Sequence, residues 1–265
     1  MDASTLHRAA RRHLIERYDE LCRMYAKLPQ RRGSDGYSLR ARRTFPRYKL
    51  VQAILVEVER LDPDHLPDLQ SLATALDRAA DTAQSLSTEH SGGAVELEVM
   101  ANERALFEAA VRTWLSVPDL DVEPLGYRRV LDPAESSTWR TRLAERWGVR
   151  ATSWHPMLAE PVSPDVLVLT DAAMNSRQGI TRVRDALRKL GCGRVVELRE
   201  HGADYLLDLD LFVPTYNSAE GVWTDDSLDW IAFASHEGTL AFGGLMASTL
   251  PTVWKNLDDW RWPGW

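Results

Sequence analysis

The chain has 265 residues, of which 44% are hydrophobic and 27% charged, and its formal net charge is −7. This length and balance fit one large or two ordinary globular domains and exclude a mostly disordered chain. No apolar run approaches the roughly 18 residues that a membrane helix needs, and the charged N-terminal stretch has no apolar signal core. We therefore predict a soluble, cytoplasmic protein with no membrane partner.

The charged residues are unevenly distributed along the chain. Residues 1–50 carry 13 Arg and Lys against 5 Asp and Glu, and the stretch from Lys27 to Lys49 is the most basic part. Such a stretch can bind a polyanion, or it can dock on the acidic remainder of its own fold. Arg outnumbers Lys by 28 to 4 in the whole chain, so the arginines here are not a local selection for phosphate.

The only two cysteines, Cys22 and Cys192, are far apart and belong to no CxxC motif or Cys/His cluster. This arrangement predicts two buried thiols in a reducing cytoplasm. A structural zinc site needs about four ligands supplied at close spacing, and the sequence offers no such set. We therefore predict no metal site at the cysteines.

Residues 1–115 are predicted to form a helical domain, because their apolar residues recur at steps of three and four. The first helix begins with Ser4 as its N-cap and ends at Pro29. The second covers about 46–61, and the third starts near Pro67. The fourth spans roughly 95–115. Four amphipathic helices with short loops predict a helical bundle.

Residues 116–126 contain two prolines, three acidic residues and a glycine, and we interpret them as a linker. Residues 127–265 then alternate between strand and helix patterns, which predicts an α+β domain with a mixed or antiparallel sheet. The predicted strands are 127–131, 166–170, 194–200, 204–213, 228–235 and 239–242. The predicted helices are 133–147, 178–190 and 245–260. The fold class is therefore α+β, an N-terminal helical bundle followed by a mixed-sheet α+β domain.

Two carboxylates, Asp208 and Asp210, fall on one predicted strand and should point to the same face. Paired carboxylates can bind a divalent cation such as Mg²⁺ or share acid–base catalysis. The same pattern is also typical of the solvent face of a half-buried strand, with Arg194 or Arg199 as ordinary cross-strand partners. Both interpretations stay open at this point.

His236 and Glu237 lie in the predicted turn between the last two strands. A histidine at the tip of a hairpin can act as a base or as a pH sensor. We expect the side chains of these adjacent residues to diverge, because neighbours on a tight turn usually do. The alternative is an ordinary solvent-exposed turn.

The segment 214–223 is interpreted as a loop between two strands, and it is long for a hairpin connection. Loops held by a rigid scaffold often bind ligands. We expect a small-molecule or partner site to combine this loop with His236 and Asp208. The alternative is a well-ordered surface connection. The candidate binding residues of the loop offer stacking, amide and charged groups, and they are Tyr216, Asn217, Glu220 and Trp223.

Six of the ten tryptophans lie in the last 43 residues. Tryptophan is over-represented at binding hot spots, so this clustering favours an interaction surface. The aromatic stretch 260–265 either packs back on its own domain or presents an aromatic patch to a partner. Trp262 is the candidate binding residue of this stretch.

The basic stretch 31–49 is interpreted as a loop in which cations alternate with aromatic side chains, a pattern that can grip a nucleic-acid backbone and stack bases. No zinc-finger, basic-zipper or RNA-recognition signature accompanies it. The alternative is a solvated or internally paired loop. The candidate nucleic-acid residues are Arg40, Arg42, Arg43 and Arg47.

The function predicted first is a non-enzymatic, cytoplasmic protein-binding or regulatory protein without a cofactor. In this hypothesis the α+β domain binds a protein partner through its tryptophan-rich edge and the segment 214–223. A bacterial immunity or defence accessory role is compatible with it. The sequence contains neither a GxxxxGK[ST] phosphate loop nor a GxSxG nucleophile motif, which lowers the expectation of an enzyme.

Two other hypotheses remain open. The first is a hydrolase or transferase on a small phosphorylated substrate, assisted by Mg²⁺ and using Asp208, Asp210, His236 and Glu237. The second is nucleic-acid binding through the basic stretch 31–49, which predicts an affinity that falls steeply with salt.

Overall fold

The computed structural model divides the chain into two compact units, Met1–Leu125 and Gly126–Trp265. The first unit is helical and the second is built on one seven-stranded sheet, which confirms the predicted α+β class. Within the described residues, no helix is both long enough and apolar enough to cross a membrane. The residues that the structure describes are 1–28, 37–84, 93–150, 152–158 and 163–264.

The helical unit contains α1 (Ala3–Ala26), α2 (Leu39–Val58), α3 (Leu69–Thr82) and α4 (Ala94–Leu115). The predicted bounds of the fourth helix are confirmed within one residue. Apolar side chains three and four residues apart meet in one core, because that spacing places them on one side of each helix. The largest of these buried side chains include Leu6, Leu14, Leu50, Ile54, Leu72 and Phe107.

The N-cap of the first helix lies two residues before Ser4. The carboxylate of Asp2 accepts a hydrogen bond from the backbone N–H of Thr5 at 2.7 Å, so Asp2 is the N-cap and the prediction of Ser4 is wrong. The predicted end of this helix at Pro29 lies outside the described residues, and α1 itself ends at Ala26.

The second helix also begins earlier than predicted, at Leu39 instead of Pro46. The hydroxyl of Ser38 accepts a hydrogen bond from the N–H of Ala41 at 3.2 Å, which starts the helix upstream of the proline. Pro46 lies inside α2, where it leaves the carbonyl of Arg42 without the usual helical donor. A proline is typical of a first helical position, and that rule misplaced the boundary here. The described part of the predicted basic loop is therefore mainly helix.

The α+β unit contains an antiparallel sheet in the order β1-β4-β3-β5-β6-β7-β2. Each of the six neighbouring strand pairs is antiparallel, so the antiparallel alternative is observed and the mixed one is not. The strands are β1 (Arg128–Val130), β2 (Val166–Thr170), β3 (Arg194–Arg199), β4 (Tyr205–Asp208), β5 (Gly221–Thr224), β6 (Trp230–Ala234) and β7 (Thr239–Gly244). The helices are α5 (Pro133–Trp147), α6 (Arg177–Lys189) and α7 (Leu245–Val253).

The two faces of this sheet support separate hydrophobic cores. On one face Leu198 and Phe233 pack in a cluster that includes Leu143 of α5. On the other face Trp223 and Trp230 lie next to Phe212, with ring centroids 6.0 and 6.2 Å apart. Because side chains alternate along a strand, burying both faces requires nearly continuous apolar strands, and β5, β6 and β7 have them.

The start of α5 is formed by a capping box. The carboxylate of Asp132 accepts from the N–H of Glu135, and the carboxylate of Glu135 accepts from the N–H of Asp132. Pro133 occupies the first helical position and Gly148 ends the helix at a φ of 68°. The predicted bounds of this helix are confirmed.

The long connection between β4 and β5 has a structural cause. Both strands pair with β3 and both are antiparallel to it, so they run parallel to each other. The chain must therefore return along the sheet before β5 begins, and such crossovers need about a dozen residues. The predicted strand 204–213 is too long, because β4 ends at Asp208, opposite Arg194 at the start of β3, and Leu209–Leu211 form a 3₁₀ turn.

The chain after α7 packs back on its own unit. The predicted helix 245–260 is wrong in length, since α7 ends at Val253 and only 257–260 form a 3₁₀ turn. The N–H of Trp262 donates to the carbonyl of Val168 at 3.1 Å, and Arg261 forms a β-bridge with Leu169. Of the two alternatives for this stretch, packing back is observed; Trp265 lies outside the described residues.

Candidate functional site

One end of the sheet gathers polar side chains from several strands. Because neighbouring strands are antiparallel, the end of β3, the start of β5 and the end of β6 meet there. Glu200 directly follows β3, Glu220 directly precedes β5, and Ser235 and His236 directly follow β6. The sheet therefore brings together residues that lie up to 36 positions apart in the sequence.

The carboxylate of Glu220 is the centre of this group, and the residue is only 4% exposed. Its Oε1 accepts hydrogen bonds from Nδ1 of His236 at 2.7 Å and from the hydroxyl of Ser235 at 3.3 Å. Its Oε2 accepts from the hydroxyl of Ser153 at 3.1 Å and lies 3.9 Å from Nε2 of His155. We call these five side chains the Glu220 cluster.

The local backbone fixes the hairpin side of the cluster. The pairing of Gly221 with Ala234 places Glu220 beside Ser235. Gly238 has a φ of 71°, which is the left-handed region that favours glycine and closes the turn. The N–H of Glu237 donates to the hydroxyl of Ser235 at 3.1 Å. The side chain of His236 is thereby held at the tip of the β6–β7 hairpin.

His236 is held between two carboxylates, although its side chain is 58% exposed. Its Nε2 lies 3.0 Å from Oε1 of Glu237, so the expectation that these adjacent side chains diverge is wrong. The hydrogen bond to Glu220 raises the pKa of His236, burial opposes the increase, and the charges of Glu220, Glu237 and Glu200 add to it.

The ionised form of Glu220 is stabilised despite its burial. Burial raises the pKa of this carboxyl, but the hydrogen bonds from His236 and Ser153 and the nearby His155 outweigh that effect, and the net pKa is lowered. The pKa of Glu220 is lowered and that of His236 is raised, so both shifts favour the charged forms of the two side chains. Near neutral pH the contact favours a carboxylate on Glu220 and an imidazolium on His236.

His155 and Ser153 were not predicted from the sequence. They come from the segment 152–158 between α5 and β2, which has no helix or strand periodicity to locate it. The ring of His155 stands edge-on to Phe233, with centroids 4.9 Å apart. Ser153 is fixed by two backbone hydrogen bonds with Arg150. The only sequence signal is the polar–aromatic run 153–156, whose position beside Glu220 depends on the tertiary fold.

The residues next to the cluster are exposed and polar. The N–H of Glu220 lies 3.4 Å from the carboxylate of Glu200, and Nε2 of His201 lies 3.4 Å from the same carboxylate. Tyr216 is 41% exposed and lies on the connection that leads to Glu220. The backbone carbonyl of Asn217 on that connection accepts a hydrogen bond from Arg199.

The two tryptophans predicted to bind a partner occupy different surroundings. Trp223 lies on β5 and not in a loop, and it is only 2% exposed, so its indole belongs to the core and offers no binding surface. Trp262 is half-buried and packs against the hydrophobic cluster on the α5 face of the sheet. Neither side chain belongs to the Glu220 cluster.

The predicted pair of Asp208 and Asp210 is separated. Asp208 ends β4, accepts a hydrogen bond from the N–H of Tyr127 at 2.7 Å and lies 3.4 Å from Arg194. Asp210 lies in the 3₁₀ turn and forms an ion pair with Arg188. The expectation that both carboxylates share one strand face is therefore wrong, because the strand ends between them. Within the described ranges, no three His, Cys, Asp or Glu side chains are grouped to hold a metal ion.

The four candidate nucleic-acid residues lie on α2 and not in a loop. Arg42 pairs with Glu96, with Nη2 3.0 Å from Oε2, and Arg47 donates from Nε to Oε1 of Glu103 at 2.7 Å. Two of the four cations are thus neutralised within the helical unit, as the internally paired alternative predicts. Arg40 and Arg43 are exposed.

The chemistry of the Glu220 cluster is that of an oriented hydrogen-bonding group. In the usual serine nucleophile the hydroxyl donates to a histidine base, and a carboxylate orients that histidine. Here the hydroxyls of Ser153 and Ser235 both donate to Glu220, and Nε2 of His236 faces Glu237. The arrangement can therefore present a cationic imidazole in a fixed direction.

Compared with models of protein families, with curated proteins and with solved structures, the chain has no match. The function of the Glu220 cluster therefore has to be inferred from its own geometry.

Proposed function

We propose that the chain is a non-enzymatic, cytoplasmic regulatory protein whose α+β unit binds a protein partner at the surface around His236. The observation that supports this proposal is the contact between buried Glu220 and exposed His236 at 2.7 Å. The cytoplasmic location is supported by the two free cysteines, Cys22 and Cys192.

Burial of Glu220 is difficult to explain by stability alone. Taking a carboxylate out of water costs free energy, and a buried ionic contact rarely stabilises a protein more than apolar residues of the same volume do. The hydrogen bonds from Ser153 and Ser235 join neighbouring segments of the fold, but the shortest contact of this carboxylate is with an imidazole that is mainly exposed. The effect of this contact is to fix the direction and the charge of an imidazole that reaches the surface.

The surroundings of His236 favour recognition over catalysis. The imidazole stands at the tip of a hairpin, open to water, whereas catalytic acids and bases work best where water is excluded. Tyr216 and Asn217 are exposed on the connection that leads to Glu220. Tyrosine and asparagine are typical of protein-binding surfaces, because they combine contact area with adaptable hydrogen bonds.

The test is site-specific crosslinking in the native host. A photoreactive amino acid replaces Tyr216, and in a matched control it replaces Leu245, an exposed residue at the start of α7 near the opposite end of the sheet. We expect one crosslinked protein from position 216 and none from position 245. The same partner should then form a complex of fixed stoichiometry in native mass spectrometry of the purified pair.

Binding to the identified partner is then measured with His236→Ala and with Glu220→Gln. We expect His236→Ala to weaken the affinity at least tenfold, about 1.4 kcal/mol, which is the loss typical of a contact that matters. Glu220→Gln should weaken it less, because the imidazole stays but loses its orientation. Equal crosslinking from both positions, or an affinity unchanged in His236→Ala, would contradict the proposal.

A further inference from the structure

The helical unit contains a cavity of about 360 Å³ between α1, the end of α4 and the segment 120–123. This volume is within the range of small-molecule sites. The cavity lies in a different unit from the Glu220 cluster, so an inference from it is independent of the proposed function. Its lining residues from the two helices are Ala9, Arg12, His13, Glu16 and Trp114.

One wall of the cavity is aromatic, and its rings pack against a buried phenylalanine. The rings of Trp114 and His13 meet edge-on, with centroids 5.5 Å apart and planes 72° apart. Phe107 is buried behind both, at 6.4 Å from Trp114 and 6.0 Å from His13. Leu120 and Val122 add apolar surface from the segment 120–123. The wall is therefore preformed and does not need a ligand to order it.

The charged groups of the cavity are mainly negative. Three carboxylates line it, from Glu16, Asp121 and Glu123, against one guanidinium, that of Arg12. Nη2 of Arg12 already donates to the carbonyl of Glu123 at 3.2 Å and lies 3.4 Å from its carboxylate. Burial and the charge of Arg17 lower the pKa of His13, so His13 adds no positive charge near neutral pH. The formal charge of the lining is therefore −2.

We propose that this cavity binds a small organic ammonium cation, with its charged head group between the ring of Trp114 and the carboxylates of Asp121 and Glu16. An aromatic ring attracts a cation through its electron-rich face, and tryptophan does so best among the aromatic side chains. The carboxylates neutralise the cation and reject anions of the same size. The half-buried ring of Trp114 distinguishes this open groove from a surface that is acidic only.

The experiment titrates the full chain with choline in a calorimeter at low ionic strength. The matched probe is 3,3-dimethyl-1-butanol, which has the same shape but a neutral carbon in place of the charged nitrogen. We expect choline to bind with one site and the alcohol to bind at least tenfold more weakly. No heat with choline up to about 10 mM, or equal binding of the two probes, would overturn the proposal.

Variants then locate the bound cation. We expect Asp121→Asn to weaken choline binding at least fivefold, and the control Asp19→Asn, an exposed acid on α1 that does not line the cavity, to leave it unchanged. Trp114→Leu should abolish binding and Trp114→Phe should retain part of it, which separates loss of the ring from loss of folding. Nuclear magnetic resonance of the Trp114 indole N–H should show a shift with choline in the unaltered protein. Equal loss in both Asp variants would contradict the assigned site.

Discussion

The helical unit and the α+β unit both bury charged side chains, but they place the opposite charge differently. In the helical unit Arg11 and Glu59 are both buried, with side chains 4% and 1% exposed, and they form an ion pair at 3.1 Å. In the α+β unit the buried carboxylate of Glu220 contacts His236, which is mainly exposed. In the helical unit the buried charge therefore joins interior elements, whereas in the α+β unit it orients a side chain at the surface.

A second ionic contact in the helical unit joins three helices. Glu103 of α4 accepts hydrogen bonds from Arg17 of α1 and from Arg47 of α2. Burial raises the pKa of Glu103, but the two arginines outweigh that effect and keep the net pKa below its usual value. Apolar side chains could pack there in several registers, whereas this contact forms in one. We infer that buried charge in this unit helps to specify how the helices fit together.

The largest effect is expected from breaking the buried ion pair with Glu59→Ala. The guanidinium of Arg11 would stay buried without its carboxylate, which typically costs about 3–5 kcal/mol of unfolding free energy. The measurement is urea unfolding followed by circular dichroism at 222 nm. The control Arg11→Met/Glu59→Leu replaces both charges by apolar groups and should recover most of the loss. A loss below about 1 kcal/mol in Glu59→Ala would mean that the ion pair does not form in solution.

The next effect concerns His7, which is buried and lies 3.3 Å from the carbonyl of Val58. Burial lowers the pKa of His7 from 6.5 to about 4. The unfolded chain therefore binds a proton that the folded chain rejects, and stability falls as the pH drops from about 6.5 towards 4. The expected loss is about 3 kcal/mol by pH 4.

This loss is isolated by comparison with His7→Gln, which can still donate to Val58 but does not titrate. We expect the unfolding free energies of the two proteins to converge or cross as the pH falls. Only in the unaltered protein does protonation of His7 in the unfolded chain lower the stability. Parallel pH profiles between pH 7 and 4 would show that His7 is not buried in its neutral form.

The smallest effect is expected at the Glu220 cluster, where we expect no large change in stability because His236 is exposed. Glu220→Gln removes the negative charge that raises the pKa of His236, so that pKa should fall towards its ordinary value. The measurement is a titration of the His236 ring by nuclear magnetic resonance. Glu237→Gln, which changes only the outer carboxylate, should lower it less. An unchanged titration in Glu220→Gln would show that the two side chains do not meet in solution.

Local sequence rules predicted the elements whose ends carry capping or turn-forming residues. The capping box at Asp132 and Glu135 and the stop at Gly148 fixed α5, because each of these signals acts within a few residues. The turn of the last hairpin was predicted for the same reason, since Gly238 supplies the positive φ that it needs. At the start of α2 the proline rule was misleading, because the cap at Ser38 starts the helix upstream of Pro46.

The candidate site was less accessible to sequence analysis, because it depends on the register of the strands. Glu220 and His236 were both predicted as functional candidates, but their contact follows from the pairing of β5 with β6. The strand β5 was not predicted, because Gly221–Thr224 is short and begins with glycine. Trp223 was therefore assigned to a loop instead of a strand. Asp208 was grouped with these residues although β4 carries it towards the opposite end of the sheet.

The stretch around Trp262 has a consequence for how the protein behaves at high concentration. β2 is an edge strand with the sequence VLVLT, and an uncovered apolar edge of this kind can pair with the same edge of another molecule. The bridge between Arg261 and Leu169 and the hydrogen bond from Trp262 to Val168 occupy part of that edge. These residues outside the sheet therefore limit self-association through the edge of β2. We expect a substitution that loosens them to reduce solubility before it alters the core.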